Sequence, residues 1–201
     1  MPSILTGNEK WRFDPKGDRA AMANVTTSTC RGIAYYRAPD AVGECQARVV
    51  YGTLDSRLLA IDADTGETCR NFGQNGAVDL NEGIGKTLPG YVSMTSPPTI
   101  VRSLAIVGHQ VIDGQYRDAP SGVVRAFDAV TGQFAWAWDI GRPGVTTQPA
   151  EGETYARCSR TENSLLRRLL SLIVARNFPV NSRMKSCWSA EKAAEMAGFG
   201  R

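Results

Sequence analysis

Three stretches of the chain end in one phrase: Thr6-Gly7-x-x-x-Trp11 followed by Phe13-Asp14, Thr65-Gly66, and Thr131-Gly132-x-x-x-Trp136 followed by Trp138-Asp139. The last copy is the fullest, running from Ala126-Phe127-Asp128 to Trp136, while the middle copy opens Ala60-Ile61-Asp62 and carries Arg70 where the others have an indole. The glycines stand 59 and 66 residues apart. A period of that size makes each unit one supersecondary element, with a long loop, that buries its faces only against its neighbours. Asp and Thr around a tight Asx-type turn, with Gly free to take positive φ, read as a two-strand hairpin. The Trp beyond it can lie flat on the adjacent unit.

Strands and turns fill the units in a fixed order. Residues 47–52 and 56–62 flank Thr53-Leu54-Asp55 as a hairpin, and 98–101, 104–108 and 122–128 repeat the order in the next unit. Three to four short antiparallel strands per unit is the content of a propeller blade. Long connections rich in Gly, Asn, Asp and Pro, at 14–29 and 73–94, are functional or disordered. Counting back from Thr6 puts the Asp position on Ser3 and the Ala position on Met1. The strand before the first turn is therefore expected to be missing, leaving about two complete blades and a remnant that cannot close a ring.

The pattern stops after Pro149. Residues 1–150 carry a net charge of −1 and 151–201 a net +4, so the overall +3 comes from the tail. That charge has no interleaved aromatics and no folded face, which argues against nucleic acid. Residues 163–176 have apolar positions at helical spacing with arginines between, and 189–197 read as a second short helix. A helical cap, an amphipathic surface helix, or a segment foreign to the fold from a frame-shifted reading all fit. The abruptness of the break favours the last. The domain boundary is thus expected at 150, with a helical or disordered tail over 151–201. The N-terminus has no signal-peptide pattern, and no apolar run is long enough to span a bilayer. Five cysteines show no C-x-x-C pair, which argues against zinc and thioredoxin-like chemistry. A disulfide such as Cys30 with Cys45 and buried free thiols both remain open.

The Ala-x-Asp-x-x-Thr-Gly-x-x-x-Trp phrase resembles the tryptophan-docking motif of the pyrroloquinoline-quinone (PQQ) dehydrogenases. Residues 29–36, Cys45, 58–62 with Cys69, Thr95-Ser96-Pro97-Pro98 and 121–128 are similar to the membrane-bound glucose dehydrogenase branch of that family. The resemblance implies an all-β fold, part of an eight-bladed propeller, from a periplasmic, membrane-associated enzyme. Such an enzyme oxidises glucose or a related sugar or alcohol by hydride transfer to PQQ and passes the electrons to ubiquinone. It further implies Ca²⁺ or Mg²⁺, although no metal ligand falls within this chain.

PQQ is a planar ortho-quinone with three carboxylates, so its site needs a fixed cation, hydroxyl donors and a flat packing surface. The resemblance places Arg31 on a cofactor carboxylate, Thr95 and Ser96 on the quinone system, and His109 and Asp113 in a loop approaching the cofactor. Tyr36 falls at the substrate entrance. Each has a plainer reading: Arg31 pairing with Asp40 or Glu44, Thr95 and Ser96 shaping a turn, His109 hydrogen-bonded in a loop. No catalytic residue can be carried over, because Arg157–Ser164 departs from the family pattern where the catalytic blades begin. The chain is expected to be inactive alone and to need the remaining blades. A noncatalytic propeller scaffold is the alternative.

Overall fold

The computed structural model describes residues 8–25, 32–39, 42–112, 119–139 and 141–156. The helices expected at 163–176 and 189–197 lie outside them. No described helix is long and apolar enough to cross a membrane.

Two four-stranded antiparallel sheets make up the fold. The first runs β1 (Ala34–Arg37), β2 (Ala47–Gly52), β3 (Arg57–Asp62) and β4 (Ala77–Asp79) in sequence order. Between its two sheets the chain forms β5 (Val92–Ser93), and the second sheet is built from β6 (Thr99–Val101), β7 (Leu104–Val107), β9 (Val124–Asp128) and β10 (Phe134–Trp138). The intervening β8 (Gln110–Val111) pairs instead with β5. A short helix α1 (Arg19–Asn24) lies in the first long connection, capped by the Asp18 carboxylate accepting from Ala20 N.

The two Thr-Gly turns are superimposable in their bonding. Asp62 Oδ1 accepts from Asp64 N and Thr65 N, and Asp128 Oδ1 accepts from Val130 N and Thr131 N. Gly66 N donates to Asp62 O at 3.0 Å and Gly132 N to Asp128 O at 2.8 Å. Both glycines sit at positive φ, 80° and 71°, which a β-carbon would strain. Burial works against the charge of Asp62, but the amides of Cys45, Thr65 and Asp64 outweigh it and hold that carboxyl below the usual carboxylate range.

The sheets pack face to face. Val50, Leu58 and Ala60 of the first meet Ala105, Val107 and Phe127 of the second, with Cys45, Cys69, Phe72 and Leu80 filling between. Two fully buried arginines cross this interface in opposite directions. Arg48, from β2, donates through Nη1 to Val130 O at 2.8 Å and Ala129 O at 3.4 Å, and through Nη2 to Cys45 O. Arg125, from β9, donates to Glu82 O at 3.0 Å and to Leu80 O. Each reaches backbone carbonyls across the interface that lie outside the strand ladders, Arg48 keeping one donor for Cys45 O on its own side.

The junctions at the two turns differ. Trp11 covers the first: its Nε1 donates to Ala63 O at 3.0 Å, and a β-carbon on Gly66 would lie 2.7 Å from the indole. At the second turn the position corresponding to Trp11 is Arg70, which is exposed. The outer strand breaks there, between a bridge at Ile61 and Thr68 and the start of β4. The detour brings Gly73 against Gly132, where a β-carbon would stand 2.7 Å from Gly73 N, and Gly73 N donates to Thr131 O at 2.8 Å. Arg48 then serves the Ala129 carbonyl, the counterpart of Ala63 in the first turn. Exchanging Trp11 for phenylalanine keeps the ring over Gly66 but strips Ala63 O of its donor. A loss of about 1–2 kcal/mol in unfolding free energy by urea titration is expected.

The disulfide joins Cys45 to Cys69, 24 residues apart. The pairing of Cys30 with Cys45 considered from the sequence is not formed. The Cys45 sulfur is already bonded to Cys69, and Cys30 lies outside the described residues.

Candidate functional site

Strand direction sorts the loops into two groups. The Thr-Gly turns, Cys45 and the β6–β7 turn lie at one end of the sheets. The entry to β1, the Thr53–Ser56 turn, the exit of β4, the Thr95–Pro98 approach to β6 and the exit of β7 lie at the other. All but one of the described candidate residues fall at this second end.

Thr95 is half-buried and Ser96 exposed. They are anchored from behind by Met94, whose side chain packs under Gly52 so closely that a β-carbon there would lie 2.6 Å away. Met94 N also donates to Thr53 O at 3.3 Å. The chain entering β1 comes alongside, with Pro97 3.6 Å from where a Gly32 β-carbon would be. Gly32 therefore lies against Pro97, the residue after Ser96; Arg31 and Asp113 lie outside the described residues. Among the described residues the Thr95 and Ser96 hydroxyls make no side-chain hydrogen bond, so they remain available as donors, and that donor chemistry fits a quinone and carboxylate acceptor. No cluster of three His, Cys, Asp or Glu suited to a metal occurs among the described residues.

Tyr36 stands apart. It lies within β1 as the register partner of Arg48, on the strand face opposite the 57% exposed Tyr35, about 7 Å along the strand from its start.

His109 follows β7, with Nε2 3.0 Å from Arg125 Nη2 and Nδ1 3.4 Å from Val123 O. A guanidinium only donates, so Nε2 accepts and Nδ1 carries the proton. Burial, then the charge of Arg125, pushes the imidazole from an ordinary 6.5 down to about 3. Below its ordinary pKa the unfolded chain takes up a proton that the folded one refuses. Stability from this site is therefore complete above pH 6.5 and drains away as pH falls toward about 3. His109→Gln, with no titrating ring, should lose less stability than the unaltered chain between about pH 7 and pH 4, as read by urea unfolding.

Asp139, beside exposed Trp138, is buried and saturated. It accepts from Ser121 Oγ at 2.8 Å, Gly141 N at 3.1 Å and Ala156 N at 2.7 Å. Tyr155, 3% exposed, packs with Ile84, Tyr91 and Val123, so the folded unit continues through Ala156. The two buried arginines were missed in the sequence. Their signal was one charge inside an apolar strand, Ala47-Arg48-Val49-Val50 and Val124-Arg125-Ala126-Phe127.

Antiparallel four-stranded wedges, stacked face to face through repeated Asx turns and carrying their long loops at one end, are the construction of a β-propeller. A family model described as PQQ: Glucose/ethanol/alcohol dehydrogenase, beta-propeller domain matches residues 4–164, and the chain belongs to that family. It is 44% identical over 154 residues to the glycerol dehydrogenase large subunit of Gluconobacter oxydans (strain 621H), covering 76% of this chain and 20% of that protein. It is 36% identical over 167 residues to quinoprotein glucose dehydrogenase A of Acinetobacter calcoaceticus, covering 77% and 21%. The chain thus spans about a fifth of the length of these relatives. The solved quinohemoprotein alcohol dehydrogenase from Comamonas testosteroni is similar in fold, with a TM-score of 0.54 at 24% identity over 76% of this chain and 20% of that one. The quinoprotein resemblance and the partial propeller expected from the motifs are both borne out.

Proposed function

We propose that this chain forms two blades of a dehydrogenase that oxidises glucose or a related sugar or polyol, and that its loop-bearing end holds PQQ. The observation that carries the reading is the approach of Gly32, next to Arg31 in the chain, to Pro97, next to the Thr95 and Ser96 hydroxyls that make no side-chain hydrogen bond among the described residues. In this reading Arg31 holds a cofactor carboxylate as a bidentate donor, and Thr95 and Ser96 donate to the quinone system. Asp113 and His109 belong to the loop that approaches the cofactor, and Tyr36 lies toward the sugar. The bound quinone supplies hydride acceptance, with Ca²⁺ or Mg²⁺ polarising it. No residue of this chain is assigned the removal of the substrate proton, so the chain by itself is expected to bind without turning over. Reduction of ubiquinone on the periplasmic side of a membrane completes the proposal.

Adding PQQ with Ca²⁺ or Mg²⁺ and following the quinone absorbance tests it. Binding by the unaltered chain that falls at least about tenfold in Arg31→Ala is expected, a charge-assisted bidentate contact being worth roughly 1.5–3 kcal/mol. No binding by the unaltered chain would leave a scaffold.

A further inference from the structure

We propose that His109 is a positioning residue: its contact with Arg125 fixes the β5–β8 pair and thereby sets the Thr95 and Ser96 hydroxyls, which the proposed function, on which this rests, assigns to the cofactor. A ladder of two residues a side, Val92 with Val111 and Ser93 with Gln110, cannot hold itself in water. Its stability has to come from what grips each strand. β5 is gripped by Ser56 Oγ, which donates to Val92 O at 2.6 Å. Ile112 N donates to Tyr91 O at 3.0 Å across the pair. On the β8 side Val111 and Ile112 pack on the cluster of Tyr91, Val92 and Val123, and the polar grip comes from the residue just before the strand. Gly108 has nothing within 4 Å of where its β-carbon would be, so backbone packing does not wedge this corner. The imidazole of His109 adds the directional contacts that fix the position of this corner, Arg125 on one nitrogen and Val123 O on the other.

Arg125 is a rigid post for this contact. It is fully buried, donates to two carbonyls of the loop after β4, and has its guanidinium carbon 5.8 Å and 5.6 Å from the Phe127 and Tyr155 rings. Among the described residues, the charged and titratable groups around His109 are thus Arg125 itself and, beyond it, Tyr155, Glu82 and Asp79. An imidazolium, with a proton on both nitrogens, has no acceptor to offer Arg125, so the ring makes this contact only in its neutral form. Thr95 follows Met94, the residue after β5, so a shift of the β5–β8 pair moves both hydroxyls. A purely packing role at 109 would be served equally well by phenylalanine.

Amide hydrogen exchange on the 201-residue chain without cofactor tests the linkage. In His109→Phe and His109→Ala, amides 92–96 should exchange at least about tenfold faster while those of β2 and β3 keep their protection. His109→Gln, whose carboxamide can accept from Arg125 and donate to Val123 O, should restore protection to within about threefold. Equal protection in all four proteins overturns the proposal, as does a loss spread evenly over both sheets or global unfolding of His109→Phe. PQQ titration of the same proteins separates the two readings. Absence of binding by the unaltered chain overturns the proposed function while the exchange pattern still decides the linkage. Unchanged PQQ affinity in His109→Phe, despite fast exchange at 92–96, overturns the link to the cofactor.

Discussion

Replacing Arg48 by methionine should lower the unfolding free energy by about 3–5 kcal/mol, much of what a domain of this size has in reserve. Methionine keeps most of the aliphatic stem, so the packing of β2 against the second sheet survives. What goes is the donor set for three carbonyls, Cys45, Ala129 and Val130, in a place water does not reach. An acceptor buried without its donor costs about 1–3 kcal/mol. Lysine should recover only part of the loss, because one ammonium cannot span both turn carbonyls and the Cys45 oxygen as a planar fork does. Arg70→Met is the control: that side chain is exposed, and a change within about 0.5 kcal/mol is expected. Arg70→Trp should likewise fail to recreate the first junction at the second, since the Gly73 backbone already occupies the face of Gly132. Urea titration of the four variants decides this. Equal midpoints for Arg48→Met and Arg70→Met would remove Arg48 from the junction.

Loss of the Cys45–Cys69 bridge should cost about 3.5 kcal/mol, the chain-entropy value for closing a loop of this length. The damage should also be local. Cys69 ends the outer-strand fragment beside β3, and the chain then detours through Phe72 and Gly73 before rejoining as β4. Phe72 is fully buried between the sheets and Gly73 N supports the Thr131 carbonyl. Freeing Cys69 loosens the stretch that closes the second junction. The paired Cys45→Ala and Cys69→Ala variant should therefore lose exchange protection at 72–76 ahead of β7 and β9. A lower midpoint only in reducing buffer for the unaltered chain, absent in the double variant, ties the cost to the covalent bond itself.

Much of the architecture was legible because the turns advertise themselves. Asp, Thr and Gly at fixed offsets can satisfy their backbone in essentially one way, and Asp62 and Asp128 do so with matching bonds. The strands beside them are short runs of buried apolar residues bounded by turn residues. Legibility failed where a role passed from one residue type to another at a distance. Nothing near Arg70 says that the indole's duty has moved 22 positions upstream to Arg48. The cysteine pairing was equally closed to inspection, since it depends on the bridge of Thr68 to Ile61 that carries Cys69 back toward the start of β2. The two-residue strands β5 and β8 are too short to carry a period, yet they position Thr95 and Ser96. Of the candidate residues, those set by chain direction, Thr95 and Ser96, fell together. Tyr36 and His109 are governed by strand face and by a buried cation, which local sequence does not express.

The opposed arginines also decide how such wedges can be exchanged between relatives. A chimera cut between the two sheets would separate Arg48 from the turn it serves and Arg125 from the loop carbonyls at Leu80 and Glu82, breaking two contacts with one splice. The transferable module is therefore staggered. A donor fragment has to bring its own partner for each crossing guanidinium, or be grafted onto a recipient that already has a matching basic side chain in the same strand.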